Sequence, residues 1–344
     1  MSLQINRQVV LASRPDGRPQ ANNFAIAEAP IPTPGDGQVL SKTIYLSLDP
    51  YMRGRMNAGK SYADPVEIDE VMSGGTVGQV IESKNSGFSA GDFVFGYGGW
   101  QEFWLQDGKK LKKVDPQLAP ISTATGVLGM PGVTAYTGLL NIGQPKKGET
   151  VVVAAASGAV GSVVGQIARI KGTRVVGIAG TPEKCEFVTE ELGFDACVNH
   201  SRQDFAENLK SACPNGIDVY FENVGGKVFE KVLPLLNNFS RIPVCGVISS
   251  YNATQLPAGP NLTPLLMRYI LVKRLTFRGF IVWDFDSQEE EALTQLSNWV
   301  KEGKIRYLED IVDGLENAPE AFMGLLEGKN FGKLVVRVSD EPAG

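Results

Sequence analysis

The sequence predicts an α/β protein with a β-rich first domain and a second domain built on a doubly wound parallel sheet. Short strand candidates separated by turns fill the first 125 residues or so. A strand, a small-residue turn, a helix and a second strand then follow within Gly148–Gly180. Beyond this unit, further strand candidates continue with helical stretches between several of them, which is the doubly wound pattern.

The unit within Gly148–Gly180 predicts a dinucleotide site. It opens with Val151–Ala155, an unbroken apolar run typical of a strand buried on both faces. The small residues of Ala156–Gly161 form a turn, apolar residues recur at helical spacing as far as Ala168, and Arg174–Ile178 is the second strand. Such a turn lets the backbone approach a pyrophosphate, and the free N–H groups at the helix start carry partial positive charge.

Two other interpretations of this unit compete. The glycine pattern is A-x-G-x-x-G, because Ala156 stands where the first glycine is usual. A membrane span over residues 151–168 is disfavoured, since Ser157, Gln166 and three glycines interrupt it. An ordinary strand–helix–strand unit without a ligand remains the alternative, but the position of the turn between strand and helix favours the dinucleotide.

Length, charge and cysteine usage limit the function classes. A chain of 344 residues suggests two domains, and a net charge of −5 without a basic block disfavours nucleic acid as the partner. No signal peptide or membrane segment is evident. The scattered cysteines, without a CxxC pair, are typical of free thiols in the cytoplasm. Because His200 is the only histidine, we also expect no metal site. The four cysteines are Cys185, Cys197, Cys213 and Cys245.

The first domain contains a loop with many groups able to contact a ligand. The strands predicted around it are Asn6–Leu11, Gln38–Leu46, Gly75–Glu82 and Asp92–Gly96. The loop reads SLDPYMRGRM over residues 47–56. From this segment alone, an anchoring role for Tyr51 is the better interpretation.

In the second domain, three polar or glycine-rich loops follow predicted strands. The strands are Ala196–Asn199, Ile217–Phe221, Arg241–Val247 and Leu275–Val282, and helices are expected over Phe205–Cys213 and Lys227–Leu236. The loops are Ala156–Gly161, Glu222–Gly226 and Gly246–Asn252. Because ligands bind beyond the carboxyl ends of the strands in such sheets, we expect the three loops to share one site. A helix over Ala318–Leu326 and a strand over Leu334–Val338 are expected to return to the first domain.

Seven motifs in order along the chain resemble a known family. They are SLDPYMRGRM, GMPGVTAYTGL, AASGAVGSVVGQIA, GFDACVNH, FENVGG, SSYN and GKNFGK. Together they resemble the medium-chain dehydrogenase/reductase superfamily, in its zinc-independent branch of leukotriene B4 12-hydroxydehydrogenase/prostaglandin reductases, alkenal double-bond reductases and bacterial curcumin reductases. The resemblance implies a GroES-like catalytic domain over residues 1–126 and 304–344, a Rossmann domain that binds NADP(H) over 127–303, and a homodimer.

The resemblance also assigns residues to the cofactor NADPH. The pyrophosphate turn comprises Gly158, Ala159, Val160 and Gly161. The segment beside the nicotinamide ribose comprises Cys245, Gly246, Ser249 and Tyr251, and the strand beside the nicotinamide contains Phe280 and Val282. Further contacts are Lys184 with the adenosine 2′-phosphate, and Asn223 and Asn330 in the FENVGG and GKNFGK segments. Many relatives have a tyrosine where this chain has His200, which could approach the cofactor phosphate or serve only at the surface.

We therefore expect an NADPH-dependent reductase of carbon–carbon double bonds conjugated to a carbonyl, with a small enone or enal as substrate. The end of the second strand, Ile178–Thr181, carries no carboxylate to repel a 2′-phosphate, and Lys184 follows within one helical turn. The expected catalytic residues are Tyr251, which would donate to the enolate oxygen, and Tyr51, which would hold the substrate. The alternatives are a quinone reductase and a cofactor-binding interaction protein, including an RNA-binding one.

Overall fold

The structure is a computed structural model that describes residues 5–255 and 260–342. The chain forms two compact units. The β-rich unit comprises Met1–Gly126, Glu309–Asn330 and Leu334–Gly344, and the parallel-sheet unit comprises Val127–Leu308 and Phe331–Lys333. The parallel-sheet unit thus includes residues 304–308 and 331–333, whereas the family resemblance implies that they belong to the first domain.

The helices and strands have the following bounds. The strands are β1 Ile5–Leu11, β2 Phe24–Pro30, β3 Gln38–Ser47, β4 Thr76–Ser83, β5 Phe93–Gly96, β6 Phe103–Asp107, β7 Lys112–Lys113, β8 Thr150–Ala154, β9 Arg174–Ala179, β10 Ala196–Asn199, β11 Ile217–Phe221, β12 Leu236–Val244, β13 Thr276–Gly279, β14 Glu309–Asp313 and β15 Lys333–Arg337. The α-helices are α1 Met52–Arg55, α2 Met130–Thr137, α3 Gly161–Ile170, α4 Pro182–Glu190, α5 Phe205–Ala212, α6 Gly226–Val232, α7 Thr263–Lys273, α8 Glu289–Lys301 and α9 Ala318–Leu326. Short 3₁₀ turns include Leu233–Leu235, Ile248–Ser250 and Val282–Gln288, and Gly138–Gly143 is π-helical.

The β-rich unit is held together by antiparallel pairing and an aromatic core. Its larger sheet has the order β14-β15-β3-β4-β5-β7, with β6 also paired to β3, and β1 and β2 form a separate pair. The C-terminal strand belongs to this sheet because Val335 pairs with Ser47 across β15 and β3. The buried Trp100 stacks on Phe24 at 5.8 Å and meets the edge of Phe322 on α9 at 5.6 Å.

The parallel-sheet unit is doubly wound, as the sequence predicts. Its strand order is β10-β9-β8-β11-β12-β13, and its recorded pairings are parallel. Side chains alternate along β8, which is buried throughout: Val151 and Val153 join one core cluster and Val152 and Ala154 another. Helix α3 packs in the first cluster and α5 in the second, so both faces of the sheet are covered. The chain continues from β8 to β9 on one side and later places β11 on the other, which makes the carboxyl end of β8 the switch point.

Two strand predictions in this unit were wrong at their ends. The strand expected over Arg241–Val247 is β12, which begins five residues earlier and ends at Val244. It ends there because the N–H groups of Cys245 and Gly246 donate to the carbonyl of Glu222 at 2.9 and 3.1 Å.

The strand expected over Leu275–Val282 is shorter, because β13 ends at Gly279. Phe280 turns its ring into the core against Gly138, where an added Cβ would lie 2.3 Å from the ring. Val282 then begins a 3₁₀ turn. The helix expected over Lys227–Leu236 likewise ends at Val232 and continues as a 3₁₀ turn.

Candidate active site

The turn after β8 is shaped for close backbone approach. Ala155 directly follows β8 with a left-handed φ of 51°, and its carbonyl accepts a hydrogen bond from the N–H of Gly158 at 3.0 Å. A Cβ on Gly161 would lie 2.2 Å from the same carbonyl oxygen, so only glycine fits where α3 begins. Gly158, Ala159 and Val160 remain partly exposed ahead of the N-terminus of α3. These residues therefore fit a pyrophosphate group.

The loops after β8, β11 and β12 are joined by hydrogen bonds. The Asn223 side-chain amide donates to the carbonyl of Ala154 at 2.8 Å. In turn, the carbonyl of Asn223 accepts from the N–H of Ile248 at 3.3 Å, and that of Val224 accepts from Ser249 at 3.0 Å. The carboxyl ends of three strands thus form one continuous site within the parallel-sheet unit.

Sequence reasoning missed the residue that holds the middle loop. Glu222 is buried, and its Oε1 accepts from the N–H groups of Val224 at 2.7 Å and Gly225 at 2.8 Å and from the Tyr220 hydroxyl at 3.1 Å. Burial raises the pKa of this carboxyl, against the lowering effect of those donors. An acidic residue directly after the apolar strand Ile217–Phe221 was the available signal.

The predicted segment from Cys245 to Tyr251 lies in the third loop. The Tyr251 hydroxyl accepts from the N–H of Val247 at 3.4 Å and would lie 3.0 Å from a Cβ on Gly246, so glycine leaves room for the phenol. Burial, followed by the nearby Glu222, raises the pKa of the Cys245 thiol to about 12, which keeps it neutral near pH 7. The Ser249 hydroxyl lies close to Gly226 at the start of α6, where a Cβ added to Gly226 would be 2.9 Å from the Ser249 Oγ.

Lys184 and His200 lie near each other beyond the end of β9. Thr181 caps α4, and its hydroxyl accepts from the Lys184 N–H at 3.3 Å. The backbone N–H of His200 donates to the carbonyl of Ala179 at 3.0 Å. The imidazole of His200 lies over Gly180, where an added Cβ would be 3.4 Å from the His200 Nε2. Burial lowers the pKa of His200, and the positive charge of Lys184 lowers it further.

One carboxylate lies close to this position. Glu183 is exposed in the first turn of α4. Its pKa is lowered because its own backbone N–H and the Thr181 hydroxyl donate to the carboxylate. These two donors hold the Glu183 carboxylate at the start of the helix. The nitrogen donors available to an anion at this position are those of Lys184 and His200.

The remaining predicted cofactor residues lie apart from the loops just described. The ring of Phe280 is buried against Phe221 at 6.3 Å and beside Phe285 at 6.1 Å, and Val282 packs against the same core cluster. Contact of Phe280 with a ligand would therefore involve its backbone. Asn330 is the last residue of the β-rich unit before Phe331–Lys333. The segment Phe331–Lys333 belongs to the parallel-sheet unit and contacts the turn after β8, because Gly332 forms a β-bridge with Gly158. The ring of Phe331 also meets the ring of Phe187 edge-on, with 5.1 Å between the centroids.

In the β-rich unit, Tyr51 belongs to a cluster of tyrosines around one arginine. The Arg55 guanidinium lies 5.8 Å from the Tyr51 ring centroid and 5.4 Å from that of Tyr62. Burial raises the pKa of Tyr51 well above its ordinary value, and the charges of Asp49 and Tyr97 raise it further. The Tyr51 hydroxyl thus stays protonated and can donate a hydrogen bond. Asp49 is itself buried and accepts from the Ser47 hydroxyl.

The described part of the chain shows neither a metal-ligand cluster nor a membrane-spanning helix. Within residues 5–255 and 260–342, no group of three or more His, Cys, Asp or Glu side chains could hold a metal ion. None of the helices in those two ranges combines the length and the apolar character that crossing a membrane requires.

A doubly wound unit with a glycine turn open to close backbone approach, in the same chain as an antiparallel β-rich unit, is typical of two-domain dehydrogenases. Residues 7–114 match the family model described as the N-terminal domain of oxidoreductase, and residues 159–299 match the one described as zinc-binding dehydrogenase. The chain belongs to the medium-chain dehydrogenase/reductase family. This confirms the predicted fold class, with GroES-like and Rossmann domains.

Three comparisons describe its relatives. The chain is 58% identical over 339 residues to an NADPH-dependent curcumin reductase of Escherichia coli K12, covering 98% of each chain. It is 42% identical over 342 residues to a 2-alkenal reductase (NADP(+)-dependent) of Nicotiana tabacum, again covering 98% of each. The crystal structure of CurA in complex with NADPH from Vibrio vulnificus matches with a TM-score of 0.94 and 56% identity, over 97% of this chain and 100% of that one.

Proposed function

We propose that this protein uses NADPH to reduce the carbon–carbon double bond of α,β-unsaturated ketones and aldehydes. The observation that carries the proposal is the arrangement at the switch point, where the glycine turn after β8, the Lys184–His200 pair and the Tyr251 hydroxyl all lie at carboxyl ends of strands in one sheet. The identity to NADPH-dependent reductases, at 58% and 42% over nearly full length, supports the same cofactor and chemistry.

The parallel-sheet unit would hold the cofactor, and the β-rich unit is the proposed catalytic domain. The pyrophosphate of NADPH would bind the backbone of Gly158–Gly161 at the start of α3. Its 2′-phosphate would bind Lys184, with His200 alongside. The proposed contacts from the other loops are Asn223, Cys245, Gly246, Ser249 and Tyr251, with Phe280, Val282 and Asn330 as further contacts.

When bound, NADPH supplies the hydride that adds to the substrate β-carbon, and the α-carbon then takes a proton. The charge that develops on the carbonyl oxygen needs a hydrogen-bond donor. We assign that role to Tyr251, whose hydroxyl is held near Gly246 and Val247. Tyr51 would bind the substrate as a neutral phenol, because burial keeps its pKa high.

We also propose that no metal takes part, which leaves side-chain hydrogen bonds to polarise the carbonyl. His200 is the only histidine in the chain, and the cysteines are scattered. Measurement of zinc in the purified protein tests this point. Stoichiometric zinc, or activity that a chelator removes and zinc restores, would contradict it.

A homodimer is proposed from two exposed features of the parallel-sheet unit. Strand β13 is the last in the strand order of the described sheet, and its residues are mostly exposed. Helix α7 carries apolar side chains that are exposed, including Met267 at 58% and Leu271 at 77%. Exposed strand edges and apolar patches are typical of interfaces. A second copy of the chain bound along β13 and α7 would cover both features. Light scattering of wild type and Leu271→Glu tests the proposed dimer. The wild type should have the mass of a dimer, and the variant should shift toward the monomer.

The scattered free thiols favour the cytoplasm as the compartment.

A substrate panel that follows NADPH absorbance tests the proposed activity. Enals and enones should be reduced at the double bond, with the saturated carbonyl compound as product, and NADH should be the weaker donor. Quinones turned over faster than every enone would point to a quinone reductase instead. Binding of NADPH without turnover of any acceptor would favour an interaction protein.

A further inference from the structure

Two of the four cysteines form a hydrogen-bonded thiol pair. Cys185 lies in the first turn of α4, and Cys197 lies on β10. The Cys197 thiol donates a hydrogen bond to the Cys185 sulphur. Both residues are partly exposed. Their separation of twelve residues in sequence hides this contact, which the packing of α4 on the sheet creates.

A glycine under helix α4 makes room for the two sulphur atoms. Gly177 on β9 pairs in register with Cys197 on β10. A Cβ on Gly177 would lie 3.2 Å from the Cys197 sulphur and 2.8 Å from a methyl group of Val188. Val188 follows Cys185 by three residues on α4, so both side chains share a helix face. The empty side-chain position of Gly177 therefore lets Cys197 lean under α4 toward Cys185.

The two thiols differ in reactivity. The pKa of Cys185 is lowered, first because Cys197 donates to its sulphur and also because the N–H of Ala179 donates. The pKa of Cys197 is raised, because its proton is held in that hydrogen bond and the residue is more buried. The thiolate is the reactive form of cysteine, so Cys185 is suited to attack and Cys197 to resolve.

We propose that Cys185 and Cys197 form a reversible disulfide on exposure to hydroperoxides, and that this bond weakens NADPH binding at the adjacent Lys184. The Cys185 thiolate attacks an oxygen of the peroxide, which breaks the O–O bond and leaves a sulfenic acid; the leaving group is hydroxide from hydrogen peroxide, or an alkoxide from an organic hydroperoxide. The Cys197 sulphur then attacks the sulfenic sulphur, the S–S bond forms and water leaves with the Cys197 proton. The peroxide takes the two electrons, and a dithiol reductant reverses the reaction.

The effect on the cofactor follows from position and rests on the proposed function. Lys184 is the chain neighbour of Cys185, and the Ala179 amide that contacts the Cys185 sulphur belongs to the residue whose carbonyl holds His200. A disulfide needs its sulphur atoms about 2.05 Å apart, much closer than a hydrogen bond allows. Bond formation therefore draws the first turn of α4 toward β10 and moves Lys184 with it.

The other two cysteines provide an internal reference. Burial raises the pKa of Cys213 to about 11, and Cys245 is also held neutral. Neither should react with hydrogen peroxide under mild conditions. Cys213→Ala serves as the control variant, because Cys213 lies outside the proposed cofactor site.

The first experiment treats the cofactor-free, full-length protein with hydrogen peroxide, denatures it and counts free thiols. Wild type and Cys213→Ala should each lose two thiols and regain both with dithiothreitol, whereas Cys185→Ser and Cys197→Ser should form no intrachain disulfide. Trypsin leaves both cysteines in one peptide, residues 185–202, since no Lys or Arg lies between them. That peptide should become lighter by two hydrogen atoms. Oxygen added to Cys185 without loss of Cys197, or no reaction at all, would overturn the proposal.

The second experiment compares NADPH affinity of the reduced and oxidised protein. Oxidation should weaken binding by roughly fivefold or more, and saturating NADPH should disfavour the disulfide by the same factor at equilibrium with a thiol buffer. Unchanged affinity of a fully oxidised sample would refute the coupling. If the reduced protein binds no NADPH, the proposed function fails, and the thiol count still decides whether the disulfide forms.

Discussion

The two candidate regions are built in different ways. In the parallel-sheet unit, backbone groups at strand ends shape the site: the Ala155 carbonyl excludes any side chain at Gly161, and Asn223 ties two loops together. In the β-rich unit, side chains form the candidate site, with Arg55 placed against the rings of Tyr51 and Tyr62. A backbone-shaped site tolerates few changes of residue type, whereas a side-chain cluster can change its shape through single substitutions.

The buried carboxylates of the two regions follow the same contrast. Glu222 accepts from two backbone N–H groups and so sets the course of a loop. Asp49 accepts from the Ser47 side chain and raises the pKa of Tyr51 through its charge. One carboxylate orders a backbone loop, and the other adjusts the chemistry of a neighbouring side chain. Cofactor affinity and substrate preference should therefore respond to different substitutions.

The largest expected effect is on turnover, in Tyr251→Phe. If the Tyr251 hydroxyl stabilises the developing oxyanion, its loss should lower kcat by on the order of 10²-fold and leave NADPH affinity nearly unchanged. Steady-state and single-turnover kinetics with one enone measure this. Tyr136→Phe is the matched control, because it removes a hydroxyl that bonds to Glu291 in the same unit. Wild-type kcat in Tyr251→Phe, with chemistry rate-limiting, would leave the tyrosine as part of the pocket wall only.

The next effect is on cofactor choice, in Lys184→Ala. A charge-assisted hydrogen bond contributes about 1.5–3 kcal/mol, so NADPH binding should weaken by roughly tenfold to a hundredfold while NADH binding barely changes. Fluorescence titration with both cofactors measures the difference. The control variant is Lys171→Ala. Lys171 directly follows the C-terminal end of α3, away from the proposed cofactor site, so this change should alter neither affinity. Equal losses for NADPH and NADH would show a structural role for Lys184.

A smaller effect, on substrate binding, is expected in the tyrosine cluster. Tyr51→Phe should raise KM by roughly twofold to tenfold with kcat little changed, because a contact made equally in ground and transition states affects binding alone. Tyr45→Phe removes a hydroxyl bonded to Glu341 at 2.7 Å in the same unit and provides the comparison. A fall in kcat at unchanged KM would instead give Tyr51 a part in the chemistry.

The smallest expected effect depends on pH. Burial and Lys184 lower the pKa of His200, so the free protein carries a neutral imidazole at pH 7. A bound 2′-phosphate favours the protonated form, so NADPH binding takes up a proton and strengthens as pH falls from about 7.5 to 5.5. His200→Gln should reduce this gain by roughly twofold to tenfold at the acid end and have little effect at pH 8.

Comparison of His200→Gln with wild type removes the titration of the phosphate itself, because that titration is common to both proteins. Isothermal titration calorimetry in two buffers of different ionisation enthalpy measures the proton uptake directly. Identical uptake in both proteins would place His200 outside the phosphate contact.

Periodicity located most elements of the parallel-sheet unit. The apolar run at Val151–Ala155 and the helical spacing after it correspond to β8 and α3. The prediction failed where tertiary contacts end an element: Cys245 leaves β12 to bond with Glu222, and Phe280 leaves β13 to fill space against Gly138. Neither event leaves a mark in the local pattern, because the partners are distant in sequence.

The sequence by itself determined the class of fold and the position of the glycine turn after β8, since both follow from the order of apolar and small residues along the chain. Only the tertiary structure decided which side chains meet. Lys184 and His200 come together because β9 and β10 are neighbours, and Cys185 meets Cys197 because Gly177 leaves space between them. Such contacts depend on strand order and on helix packing, which join residues that no short stretch of sequence connects.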